Sequence, residues 1–156
     1  MRHPALISLS RGHHEVLILA MKCRKRALGQ TRPVGAQGLA DLAEEVKNFV
    51  TGRLERHFQA EEKVLFPLLD RATMESRSLT AELRSEHDRI REKAGLGSGA
   101  VHLSKSLFDL ADLLERHVRR EERELFPIFE REVPEAEAER ARKEMEEILQ
   151  APEARS

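Results

Sequence analysis

The chain has 156 residues, of which 40% are hydrophobic, enough for one domain with a core. Its 27 Lys and Arg balance 28 Asp and Glu, so no global field gathers nucleic acid. The longest unbroken apolar run, Val16 to Met21, is too short to span a bilayer.

Met1-Arg2-His3-Pro4 leads into no secretory apolar stretch, so a cytoplasmic location is expected, with no membrane and no nucleic acid among its partners. A single cysteine, Cys23, excludes an internal disulfide and a cysteine-based zinc site. The absence of Trp and Tyr removes tyrosyl radicals and tyrosinate ligands, which leaves seven His as the compositional excess.

Between its Gly- and Pro-rich breaks the chain carries apolar residues at steps of three and four, the period of helices buried on one face. The first helix is expected from Pro4 or Leu9 to Leu28, before a loop at Gly29–Gly38. The second runs from Gly38 to Asp70, and a short break near Arg71–Ser78 separates it from a third at Met74–Ala94. A loop at Gly95–Gly99 precedes a fourth helix at Ala100–Arg131. Val133-Pro134 then opens a short charged helix to Gln150, with proline where a first turn tolerates it. No useful length alternates with period two. The expected fold is all-α: an antiparallel up-down four-helix bundle over residues 1–132, with a C-terminal helical appendage over 133–156.

Each helix has an apolar seam interrupted by ionisable residues. The first reads Leu6, Leu9, His13, Val16 or Leu17, Ala20. The second reads Leu39, Leu42, Val46, Val50, Leu54, His57, Glu61, Leu65, Leu68. The third reads Leu79, Leu83, His87, Ile90, Ala94, and the fourth Leu103, Leu107, Leu110, Leu114, His117, Glu121, Leu125, Ile128. One histidine on an apolar face is ordinarily a hydrogen-bonded core residue, and one His-x-x-x-Glu is ordinarily a solvated pair. Four interruptions, one in each seam, need a common cause. A carboxylate taken into an apolar interior loses several kcal/mol unless it is paired, protonated or metal-bound. His and Glu four residues apart share a helix face, about 6 Å apart along the axis, and can serve one metal or bridge two.

An internal repeat carries the same pattern. Leu54-Glu-Arg-His57-Phe-Gln-Ala-Glu61-Glu-Lys-Val-Leu65-Phe66-Pro67 recurs from Leu114 to Pro127 with nine of fourteen positions identical. Leu9-x-x-x-His13-x-x-Val16 is echoed by Leu83-x-x-x-His87-x-x-Ile90. Two helix pairs, each supplying His and then His-x-x-x-Glu, predict a pseudo-twofold centre for two metals. Pro67 and Pro127 are expected to kink or end their helices just past it. The echo and the helical face favour His13 over its neighbour, with His14 as the alternative.

In these motifs the chain resembles the hemerythrin-like, or HHE cation-binding, family, over about Leu6 to Glu130. The doubled His-x-x-x-Glu-Glu-x-x-Leu-Phe-Pro carries the resemblance. It implies a four-helix bundle holding a non-haem di-iron centre. His13, His57, His87 and His117 would be terminal ligands, and Glu61 and Glu121 would bridge two irons beside an oxo or hydroxo group. The oxygen carriers of that family use a further His one turn after the third-helix ligand, where this chain has Arg91. They also use an Asp five residues after the last His, where this chain has Glu122. Fewer nitrogen ligands suit O2, peroxide or NO sensing, stress defence or iron exchange better than oxygen storage. The same ligand set accommodates zinc or manganese in part.

A metal-responsive interaction module is the alternative, with occupancy acting on stability or on a partner. No residue pattern identifies a substrate pocket or a dedicated proton donor, so turnover is left open. Lys22-Cys23-Arg24-Lys25-Arg26 reads as basic residues opposing a helix dipole, and Cys23 as inert. His3 and His102 read as exposed. Met145, Ile148 and Leu149 give the last helix a face for docking on the bundle or on a second copy, which leaves a homodimer open.

Overall fold

The computed structural model describes residues 1–29, 36–95 and 102–151. Among these the chain is entirely helical, in five rods without a strand. A 3-10 turn, Pro4–Leu6, runs into α1, Ile7–Ala27, which ends at Leu28 and Gly29. Gly29 takes φ 72°, a left-handed conformation that glycine adopts without steric cost. The second rod comprises α2 (Ala36–Phe49), α3 (Glu55–Ala60) and α4 (Phe66–Ala72), joined by π-helical turns at Val50–Leu54 and Glu61–Leu65. The third rod is α5, Met74–Ala94. The fourth is α6 (Leu103–Arg120), a π turn at Glu121–Leu125, and α7 (Phe126–Glu132), and the fifth is α8, Glu135–Gln150. The expected loop segments 30–35 and 96–101, and the tail 152–156, lie outside the described residues.

One residue separates α4 from α5. Thr73 is extended at φ −145° and ψ 164°, and its hydroxyl accepts from the Ser76 backbone N–H while the Ser76 hydroxyl accepts from its own N–H. Both exposed donors of the new helix start are satisfied by a reciprocal capping box. That single-residue reversal lays α4 against α5, while α1 packs along α6. The last helix, α8, packs on α3, on the Glu61–Leu65 turn and on the first 3-10 turn, burying Ala138, Ala141 and Met145. The docking face foreseen for the last helix is therefore used within its own chain.

The buried apolar residues form two clusters. One holds Val16, Cys23, Leu42, Val46, Leu54, Phe58, Ile90, Leu107 and Leu114 among others. The other holds Leu6, Leu9, Leu65, Phe66, Leu69, Leu83, Phe126, Phe129 and Met145 among others. Between them lies a layer of buried His and Glu. The seams match the expected ones, with Val16 rather than Leu17 buried, except at Leu39 and Leu68, which are only half-buried; past Leu65 the next buried leucine is Leu69. The wide turn at Glu61–Leu65 absorbs one extra residue and shifts the core-facing register by one.

Those turns also correct the expectation for Pro67 and Pro127. Neither proline ends its helix. In each rod the N–H of the preceding phenylalanine reaches five residues back, Phe66 to the Glu61 carbonyl and Phe126 to the Glu121 carbonyl, and the helix continues. The backbone widens into a π turn just ahead of the residue that cannot donate.

Candidate metal centre

Six of the residues singled out above meet in the buried layer. His13 comes from α1, His57 from α3, Glu61 from the first residue of one π turn, His87 from α5, His117 from α6 and Glu121 from the first residue of another π turn. They form two groups that share both carboxylates: His13, His57, Glu61 and Glu121, and Glu61, His87, His117 and Glu121. Within each group the ligand-type atoms lie within 4.8 Å of one another, so each can hold a metal ion. His14 is exposed and belongs to neither group.

The geometry keeps the pseudo-twofold of the sequence. His13 Nε2 is 3.2 Å from Glu121 Oε2, and its counterpart His87 Nε2 is 3.2 Å from Glu61 Oε1. His13 and His57 have ring centroids 4.8 Å apart, as do His87 and His117. The Nε2 atoms of all four imidazoles and both oxygens of each carboxylate are buried without a hydrogen-bond partner. Even the shortest approach, His117 Nε2 to Glu121 Oε1 at 2.6 Å, lacks hydrogen-bond alignment. Four nitrogens and four oxygens turned inward without partners would be a heavy desolvation cost in an apolar core, and a pair of divalent cations removes it. The residues present therefore fit a two-metal group.

Outer carboxylates orient three of the rings. Glu122 lies 2.6 Å from His13 Nδ1, Glu62 lies 2.6 Å from His87 Nδ1, and Glu86 lies 2.8 Å from His117 Nδ1. Each carboxylate is braced by an arginine: Arg2 on Glu122, Arg91 on Glu62 and Arg120 on Glu86. A carboxylate acceptor places the ring proton on Nδ1 and leaves the Nε2 lone pair pointing inward. These outer groups escaped the sequence reading, although the repeated Glu-Glu of both copies contained two of them. Glu122, noted at the carriers' Asp offset, faces outward to His13 and belongs to neither ligand group. Arg91, which stands where the carriers have a histidine, spans Glu62 and Glu55 above the Phe58 ring.

Without metal, charge inside the layer is unevenly held. Burial opposes protonation of His117, but Glu121 and Glu86 outweigh it and push the imidazole up to about 9. His13 is likewise raised, against burial, by Glu121 and Glu122. Burial, and then the neighbouring His13, hold His57 well below its usual range. Burial and the adjacent Glu121 drive Glu61 well up, whereas Glu121 is held low, against burial, by the charge of the neighbouring His117. The two buried carboxylates repel each other, which pushes their affinities for a proton apart. Outside the layer Glu62 is held down to about 2, against its own desolvation, by His87 and Arg91.

The remaining candidates lie elsewhere. His102 is exposed, as expected, in a left-handed backbone conformation before α6. His3 is not exposed: its Nδ1 accepts from the Ala5 N–H and its Nε2 meets Glu135 at 2.9 Å, so it caps the first turn and ties it to α8. Cys23 is fully buried, and burial, with Glu45 nearby, pushes its thiol up to about 11, which keeps it protonated and inert.

Among known families, the description that matches this chain is the hemerythrin HHE cation binding domain, over residues 5–96. That is more than half of the chain, and it takes in His13, His57, Glu61 and His87. It stops short of the second His-x-x-x-Glu, which the internal repeat and the geometry tie to the first. No curated protein and no solved structure matches the chain.

Proposed function

Because this chain belongs to the hemerythrin HHE cation-binding family, we propose that it is a non-haem di-iron protein. His13, His57, His87 and His117 would hold the metals from the sides, with Glu61 and Glu121 between them. The observation that carries this reading is the inward set of four imidazole nitrogens and four carboxylate oxygens without partners. Nitrogen and oxygen donors in this ratio suit iron, with zinc or manganese suiting parts of the set. The rods are read as an antiparallel four-helix bundle over residues 1–132, with α8 as an appendage.

When bound, the metals would supply Lewis-acidic, redox-active positions for a small ligand such as O2, peroxide or NO. The protein's residues do the rest. The outer carboxylates hold each Nδ1 proton outward, Phe58, Phe66 and Phe126 stack on the imidazoles, and the two apolar clusters keep bulk water away. Four imidazoles without a fifth would leave room for a ligand at the metals, which favours sensing, stress defence or iron handling. Among the described residues no helix is long and apolar enough to cross a membrane, and a cytoplasmic setting is part of the proposal.

A second reading has its own support. α8 packs on the turn that begins at Glu61, so metal occupancy has a short mechanical route to a surface helix. A metal-responsive interaction module would use that route.

The decisive experiment is metal content per chain with the visible spectrum of the same sample. Two irons per chain with charge-transfer bands are expected, and both should be lost when Glu61 and Glu121 are replaced by Ala. A colourless chain that stays empty after anaerobic iron loading would overturn the reading. Metal binding that alters α8 without affecting small-ligand chemistry would favour the second.

A further inference from the structure

The pseudo-twofold that exchanges His13 with His87 also exchanges His57 with His117, Glu62 with Glu122, and Gly12 with Glu86. Three of the four imidazoles have a carboxylate on Nδ1. The fourth, His57, has Gly12 where the symmetry calls for the counterpart of Glu86, and among the described residues no carboxylate on Nδ1. A Cβ at position 12 would lie 2.7 Å from His57 Nδ1, so only glycine lets the ring take this place. The aromatic packing is unequal too. His87 stacks on Phe58 at 3.7 Å and on Phe66 at 5.4 Å, whereas His13 stacks on Phe126 alone, at 5.5 Å. A cavity of about 340 Å³ opens beside Gly12 and His57, bordered by Arg11, Glu15, Arg53, Arg56 and Glu146. The Arg53–Glu15 pair at its rim is solvent-exposed and is a weak closure.

We propose that the two halves of the centre are unequal: the half built on His13 and His57 takes up and releases its metal through the cleft at Gly12, and the half built on His87 and His117 retains its own. The inference rests on the metal-binding reading above. His57 is the ligand that lets go, since among the described residues no outer carboxylate restrains its ring and open space lies beside it. Gly12 is a positioning residue, because it lets the ring approach α1 closely enough to reach the centre.

The test loads the full chain anaerobically with ferrous iron, removes the excess, and follows transfer to a chromophoric ferrous chelator. The expected wild-type course has two equal phases, one metal per chain each, separated by about tenfold or more in rate. Gly12→Ala, which forces the ring aside, should bind one metal and lose it only in the slow phase. His57→Ala should do the same without having to accommodate a new methyl, so the result does not depend on Gly12→Ala folding normally. Glu86→Ala should instead speed the slow phase, since it frees His117 as His57 is already free. Loss of both wild-type metals in one phase, or two metals held by Gly12→Ala at wild-type rates, overturns the inequality and leaves metal binding standing. A wild-type chain that takes up no iron overturns both.

Discussion

At the scale of single residues, the metal-free centre answers its excess of buried carboxylate by holding protons. His117 and His13 are raised and so is Glu61, whereas His57 is kept neutral. A cation must displace those protons, so metal uptake should acidify a weakly buffered solution, and affinity should climb as pH rises toward about 9, where His117 gives up its proton. The sign for stability is opposite. Raised from an unfolded value of about 6.5, His117 contributes its full stabilisation to the metal-free fold below that pH and loses it as pH rises through about 9. A pH-stat titration with zinc or ferrous iron, paired with melts of the stripped protein at pH 6 and pH 9.5, measures both. Uptake without proton release would contradict this electrostatic account. The six inward residues were legible in the sequence because each breaks an apolar stripe, which only a compensating partner makes affordable. Glu62, Glu86 and Glu122 were not, because on their own helices they look like ordinary half-exposed glutamates. Their meaning depends on which ring another rod brings alongside.

At the scale of elements, the rod boundaries follow from Gly, Pro and apolar period, and α5 begins and ends at the expected residues, Met74 and Ala94. The π turns were hidden for a physical reason. Widening one turn by one residue shifts the buried face, and Phe66 and Phe126 are apolar like their neighbours, so the stripe looks unbroken in either register. The two leucines after Pro67 distinguish the registers. Leu69 is fully buried and Leu68 only half-buried. Leu69→Ala should cost about 2–5 kcal/mol by lost burial and cavity formation, and Leu68→Ala about 1 kcal/mol or less. Urea unfolding of the two variants decides it. Equal costs would mean that an uninterrupted α-helical register describes the rod better.

At the scale of the whole molecule, the His and Glu layer separates two apolar clusters, so the centre lies where each half of the core meets the other. Each cation bound only by the folded chain should raise stability by about 4 kcal/mol when free metal exceeds its dissociation constant a thousandfold. It should also sharpen unfolding, because both clusters then share ligands. Calorimetry of stripped and loaded protein should show a higher and narrower transition for the loaded form. An unchanged transition would detach the centre from the fold.

The two crossed latches differ in how far along the chain their partners lie. Glu62 and His87 are 25 residues apart and are brought together by the one-residue turn at Thr73. His13 and Glu122 are 109 residues apart and can meet only once most of the chain has been gathered. Closing the longer loop costs about 1 kcal/mol more entropy, and contacts local in sequence form first. Chemically matched latches therefore close at different moments of folding: the α4–α5 hairpin preassembles the His87 side, and the His13 side waits for the N-terminal helix to arrive.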